Sequence, residues 1–179
     1  MSLLALGGVA TLPRAKGVPS QEDVLALALA AEELAREVYR RAVAARPFRG
    51  PWAAYLEAAL AQEEEHARLL REALGRQPAL RSRLPEVFQS PILLLRLLES
   101  LEEAFVGAYL GALPLLEGEA LRLAGAILGV EAGHRVLVRQ ARLELQDPLL
   151  RPPFVANDRA LEQALSPEGA REALKPYLP

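Results

Sequence analysis

The chain has two histidines, and each closes a Glu-x-x-His: Glu63-Glu64-Glu65-His66 and Glu131-Ala132-Gly133-His134. On a helix, residues three apart share a face, so each pair sets a carboxylate beside an imidazole, enough to grip one divalent ion. With 20 glutamates in the chain, shuffling would produce both motifs about one time in a hundred, so the coincidence carries weight. Two such helices, joined by one glutamate from each of two others, form the ligand set of carboxylate-bridged dimetal four-helix bundles.

The elements that must position these residues follow from caps and periodicity. Ser20 and Asp23 form a capping box ahead of a helix from about Gln21 to Ala45. Its apolar stripe, Leu25, Ala28, Ala35 and Tyr39, contains Glu32, while Glu33, Arg36, Glu37 and Arg40 fall on the other face. Pro51 opens a second helix that Gly75 stops, with Trp52, Leu56, Ala59, Glu63, His66 and Leu70 inward. Glu64 and Glu65 belong to its solvated face. Ser90-Pro91 starts a third helix, running to about Leu113, whose stripe is Leu95, Leu98, Glu102, Tyr109 and Leu113. The fourth, from Gly118 to about Gln146, turns Leu121, Ala124, Leu128, Glu131, His134, Val138 and Ala141 inward and Arg122, Arg135, Arg139 and Arg142 outward.

Short loops join the first helix to the second and the third to the fourth. The connection from Arg76 to Gln89 is different. The second helix is roughly 36 Å long, and the connection's fourteen residues reach roughly 46 Å when extended. It can therefore return along the bundle, giving an all-α, up-down-down-up four-helix bundle with one long crossover. Residues 20–146 form this bundle. The proline-rich tail, 147–179, is expected to pack on it, with short helices at Leu161–Leu165 and Pro167–Leu174. Gly125, Gly129 and Gly133 each cost the fourth helix about 1 kcal/mol relative to Ala. The expected reasons are close approach of another backbone, room beside the site, or space for bulky neighbours.

The first two helices are echoed by the second two. Glu32 and Tyr39 match Glu102 and Tyr109, and each half adds its own Glu-x-x-His. Six candidate ligands, Glu32, Glu63, His66, Glu102, Glu131 and His134, would then surround one centre. Tyr39 and Tyr109 read equally as hydrogen-bond partners of ligand carboxylates or as plain core tyrosines. Four ionised carboxylates in a core with no inward Lys or Arg would be costly; two divalent cations would balance their charge. Oxygen and imidazole donors without thiolate suit iron or manganese, with zinc also compatible.

The composition excludes other chemistries. There is no cysteine, so disulfides, thiolate metal sites and cysteine nucleophiles are ruled out. Net charge is −2 and no basic stripe appears, which argues against nucleic acid as a partner. No apolar run reaches the length of a bilayer span. Residues 1–19 have two readings. Leu3 to Leu12 looks like the apolar region of an export signal whose start lies upstream, or the segment is an N-terminal arm.

Leu101–Ala112, with its Leu-Glu-Glu-Ala-Phe-Val-Gly-Ala-Tyr run, and Ala126–His134 resemble the third and fourth helices of the ferritin-like domain family that includes desiccation-related proteins. The resemblance covers about residues 20 to 145. It implies a ferritin-like bundle with a dinuclear metal site held by the six residues above. Gly133 departs from the family's pattern, where a larger residue, commonly arginine, is frequent. Bacterial members often carry export signals, which favours the signal reading of the N-terminus.

Three functions follow. The first is a redox-active dimetal protein, related to stress, that reacts with oxygen or peroxide while oxidising Fe(II). The second is a manganese catalase-like enzyme, and the third a non-enzymatic metal-binding or structural stress protein. The expected partners are metal ions and oxygen or peroxide, in a homo-oligomer such as a dimer.

Overall fold

The structure is a computed structural model and describes residues 17–76 and 82–178. The apolar stretch read as a signal or arm, Leu3 to Leu12, lies outside the described residues. Four long helices dominate: α1 (Gln21–Ala45), α2 (Pro51–Leu74), α3 (Pro91–Ala112) and α4 (Gly118–Glu144). A single 3-10 turn, Leu113–Leu115, follows α3, and a short α5 (Pro167–Leu174) lies in the tail. No strand occurs among the described residues, and no described helix is long and apolar enough to cross a membrane.

Local chemistry sets the helix ends. The Asp23 amide donates to Ser20 Oγ at 3.0 Å and the Ser20 amide to Asp23 Oδ2 at 2.9 Å, closing the capping box of α1. Such a cap is worth about 1 kcal/mol. Gly75 ends α2 in the left-handed conformation, φ 69°, where a Cβ would be strained, and its amide reaches the Arg71 carbonyl.

Cross-contacts fix the topology. Glu117 at the far end of α3 donates its amide to Gln21 at the start of α1, so these helices run antiparallel. Trp52 at the start of α2 bonds Glu144 at the end of α4, so that pair is antiparallel too. With the α1–α2 and α3–α4 hairpins, the order is up, down, down, up. The crossover touches the core through Phe88, Leu84 and Val87.

The apolar core is divided. One cluster holds Leu34, Val38, Leu56, Leu94, Leu98, Leu101 and Phe105; the other holds Leu25, Leu29, Leu70, Tyr109, Ala124 and Ile127. Fully burying each Leu, Ile, Val or Phe side chain contributes about 1.5–3 kcal/mol. The four carboxylates and two imidazoles, all buried, belong to neither cluster.

Several expectations for the outer surface are corrected. Arg135 and Arg139, placed outside by helical periodicity, are buried at 1% and 6% exposure, and Arg142 is half-buried. The tail covers them. Arg135 Nη2 bonds Glu162 Oε1 at 2.5 Å, Arg139 donates to the Ala156 carbonyl at 2.7 Å and Asp158 at 2.7 Å, and Arg142 reaches Asp147 and Glu99. Periodicity marks these positions as polar, but only the tail's path decides that polar means ion-paired. Leu121, expected inward, is exposed. Residues 161–165 are not helical; instead the Leu165 amide donates to the Gly107 carbonyl of α3 at 2.8 Å. A Cβ on Gly111 would lie 1.8 Å from the Leu165 carbonyl oxygen, so Gly107 and Gly111 form the notch in which the tail sits. Among the described residues nothing lies within 4 Å of a Cβ placed on Gly125, Gly129 or Gly133, so no close approach among them requires these glycines.

Candidate metal centre

Each long helix turns its chemistry inward at the same level. Glu32 on α1, Glu63 on α2, Glu102 on α3 and Glu131 on α4 are all 0% exposed, and His66 and His134 are buried beside them. The structure thus brings the six residues singled out in the sequence to one place. They fall into two overlapping groups, Glu32–Glu63–His66–Glu131 and Glu63–Glu102–Glu131–His134, with the donor atoms of each within 4.8 Å of one another.

The overlap is geometric. Glu131 turns Oε1 to His66 Nδ1 at 3.0 Å and Oε2 to His134 Nδ1 at 3.7 Å. Glu63 does the reverse, with Oε1 3.0 Å from His134 Nδ1 and Oε2 3.6 Å from His66 Nδ1. Each of these two carboxylates therefore spans both groups. Glu32 serves only the His66 end, at 3.3 Å, and Glu102 only the His134 end, at 3.9 Å.

The hydrogen-bond inventory tests whether metal ions fit. Glu32 Oε2, Glu102 Oε2, both oxygens of Glu63 and of Glu131, and Nδ1 of both histidines are buried without a hydrogen-bond partner among the described residues. Buried polar atoms are normally paired, and leaving them unpaired is costly. These eight atoms divide into four per group, all acceptors when deprotonated. Two cations, each taking four donors, would satisfy the whole set.

Residues 20–144 match the ferritin-like domain family. The chain belongs to that family. Among curated proteins, nothing matches it. In this ferritin-like domain the buried Glu/His clusters can hold metal ions, and the remaining polar contacts serve to orient them.

The tyrosines reach across the domain rather than along their own helices. Tyr39 on α1 donates to Glu102 Oε1 on α3 at 2.6 Å, and Tyr109 on α3 donates to Glu32 Oε1 on α1 at 2.5 Å. Each hydroxyl occupies one oxygen and leaves the other, Oε2, without a partner among the described residues. Two more residues were missed by sequence reasoning. Gln62 Oε1 accepts from His134 Nε2 at 2.7 Å, which fixes the tautomer that leaves Nδ1 free to bind a cation. The Tyr55 hydroxyl lies 2.9 Å from that of Tyr39, and the Tyr55 ring packs on His134 at 6.1 Å between centroids. The only sequence signal for Gln62 was its place beside Glu63 on the edge of the inner face.

Without cations, protons take their place. Burial, then the charges of Glu131 and Glu63, push Glu32 and Glu102 well above the ordinary carboxylate range. Burial also acts on Glu63, but the His134 and His66 rings beside it outweigh burial and hold Glu63 at about 2. Burial disfavours charge on both imidazoles, yet the surrounding carboxylates, Glu131 first, raise His66 to about 12 and His134 to about 9. In the metal-free cluster the surroundings therefore favour the proton on both imidazoles, on Glu32 and on Glu102, and favour charge on Glu63. The side chains already gather positive charge where ions would sit.

Proposed function

We propose that this protein holds a dinuclear iron or manganese centre that is redox-active toward oxygen or peroxide and oxidises Fe(II), in a protective role under stress. Glu32, Glu63, His66, Glu102, Glu131 and His134 would be the ligands, with Glu63 and Glu131 bridging. The observation that carries this reading is the set of eight buried, unpartnered donor atoms, four to each ion. Structural burial alone gives no reason to orphan so many acceptors in one layer. The donors are carboxylate oxygen and imidazole nitrogen, which suits iron or manganese and is also compatible with zinc.

When bound, a pair of such ions supplies two one-electron oxidations, matching the two-electron reduction of oxygen or peroxide. The chain's own part is to fix geometry and charge. Glu63 and Glu131 hold the two positions close together. Tyr39 and Tyr109 anchor the terminal carboxylates, and Gln62 orients His134. The apolar clusters on either side exclude bulk water, which strengthens every electrostatic contact in the layer.

Elemental analysis of protein purified without added metal, followed by stopped-flow oxidation of Fe(II) with each oxidant, tests the proposal. Two ions per chain with Fe(II) oxidation is the expected result. Manganese with peroxide turnover would favour the catalase-like reading instead. Bound metal without turnover would favour a metal-holding protein, and no bound metal would overturn the centre.

A further inference from the structure

A small pocket lies between α1, α3 and the tail, on the Glu32 side of the centre. Its wall is almost wholly hydrocarbon, formed by Ala28 and Ala31 of α1, Ala108, Tyr109 and Ala112 of α3, and Leu165 of the tail. The two charged residues that also line it, Asp23 and Arg171, are exposed. The glycine notch shapes this space. Gly107 and Gly111 let the tail backbone close on α3, and the Leu165 amide is spent on the Gly107 carbonyl.

We propose that this pocket is a binding site for dioxygen, poised beside the metal centre. The inference rests on the redox reading above and selects oxygen over peroxide as the oxidant. Three observations support it. The first is size: the centre of a water-sized guest can move within about 30 Å³, whereas one water needs ~10–15 Å³. A diatomic molecule fits. The second is polarity. A trapped water or peroxide needs two to four polar partners, and the Tyr109 hydroxyl is already committed to Glu32 Oε1 at 2.5 Å. A polar guest would lose hydrogen bonds on entry, while dioxygen has none to lose. The third is position. Tyr109 lines the pocket and bonds Glu32, so the same side chain touches both the pocket and the metal layer.

Xenon, an apolar atom, is the probe. A crystal of the native chain under xenon pressure should show xenon against Ala28, Ala108 and Leu165; an empty pocket overturns the proposal. A second measurement fills the pocket from either wall with Ala28→Leu or Ala108→Leu. In the iron-loaded variants, Fe(II) oxidation by dioxygen should slow by about fivefold or more, about 1 kcal/mol in barrier. Oxidation by peroxide should stay close to native, with the same iron content. Equal slowing with both oxidants, or none with either, overturns the assignment. The xenon result does not depend on metal. A protein that binds xenon but no metal keeps the apolar site and loses the redox reading, with it the guest's role as oxidant, and one that consumes oxygen with an empty pocket loses this inference alone.

Discussion

The two ends of the metal layer share a ligand pattern but not a surround. At the His134 end, Gln62 accepts from the ring's Nε2, Tyr39 anchors Glu102, and Tyr55 bonds Tyr39 and packs on the imidazole. At the His66 end, Tyr109 anchors Glu32, and His66 Nε2 has no hydrogen-bond partner among the described residues. The sequence explains why. At the places relative to Glu131 that Gln62 and Tyr55 hold relative to Glu63, the chain has Val130 and Leu123. The repeat duplicated the inner ligands and left the orienting contacts to one end. Two ions bound here would therefore be inequivalent, with the His134 position more rigidly preorganised.

The largest expected effect removes what the ends share. Glu131→Ala, or Glu63→Ala, takes a carboxylate from both positions and should drop metal content from two ions per chain to below one. Glu32→Ala and Glu102→Ala should each remove a single ion. Elemental analysis of the four variants checks this, and two retained ions in Glu131→Ala would defeat the bridging assignment.

Acidity separates the ends next. In the metal-free protein His66 is held near 12 and His134 near 9, both above the ordinary histidine value. Stability from a raised histidine is complete below about pH 6.5 and is lost as pH climbs through the folded value. Glu32 and Glu102, also raised, act with the same sign above the ordinary carboxylate range. Glu63, lowered to about 2, contributes stability that is lost as pH falls from about 4.5 toward that value. The metal-free protein should thus be most stable at about pH 4.5 and weaken as pH rises, first through Glu32 and Glu102 and from about pH 6.5 through the imidazoles as well, His134 discharging before His66. Metal affinity should rise over the same range, because the ligands must shed protons. Urea melts of the metal-free protein and nitrogen shifts of the two rings by NMR read both trends.

A smaller effect sharpens the contrast. Gln62→Leu should weaken one ion by about 10–100-fold and leave the other near native, as loss of an orienting contact does elsewhere. Calorimetric metal titration would resolve the two, and equal weakening would mean that the ends act as one. Smallest of all, Tyr55→Phe removes a neutral hydroxyl contact and should cost about 0.5–1.5 kcal/mol by denaturant melt.

Much of this architecture was legible in the chain. Ser20–Asp23, Ser90–Pro91 and Gly75 marked helix ends because caps are local chemistry. The inward glutamates stood out because a carboxylate inside an apolar period is anomalous. What stayed hidden depends on how helices meet. The partner of Tyr39 is Glu102, 63 residues away, and that of Tyr109 is Glu32, 77 away; no periodicity encodes such a crossing. Gln62 sits at the edge of its helical face, where only the rotation of α2 against α4 gives it a neighbour. Arg135 and Arg139 read as solvated because helical patterning sees charge and not the tail that later covers it. Leu161–Leu165 has helix-forming residues, yet docking on the Gly107–Gly111 notch straightens it.

The crossed tyrosines have one more consequence. A chain severed between α2 and α3 would yield two hairpins, each with an acid lacking its hydroxyl and a hydroxyl lacking its acid. Neither fragment could close these contacts alone, so each must pair, with the other half or with a second copy of itself. Mixed together, the fragments should associate, so the repeat that makes the halves look interchangeable also makes each dependent on a partner.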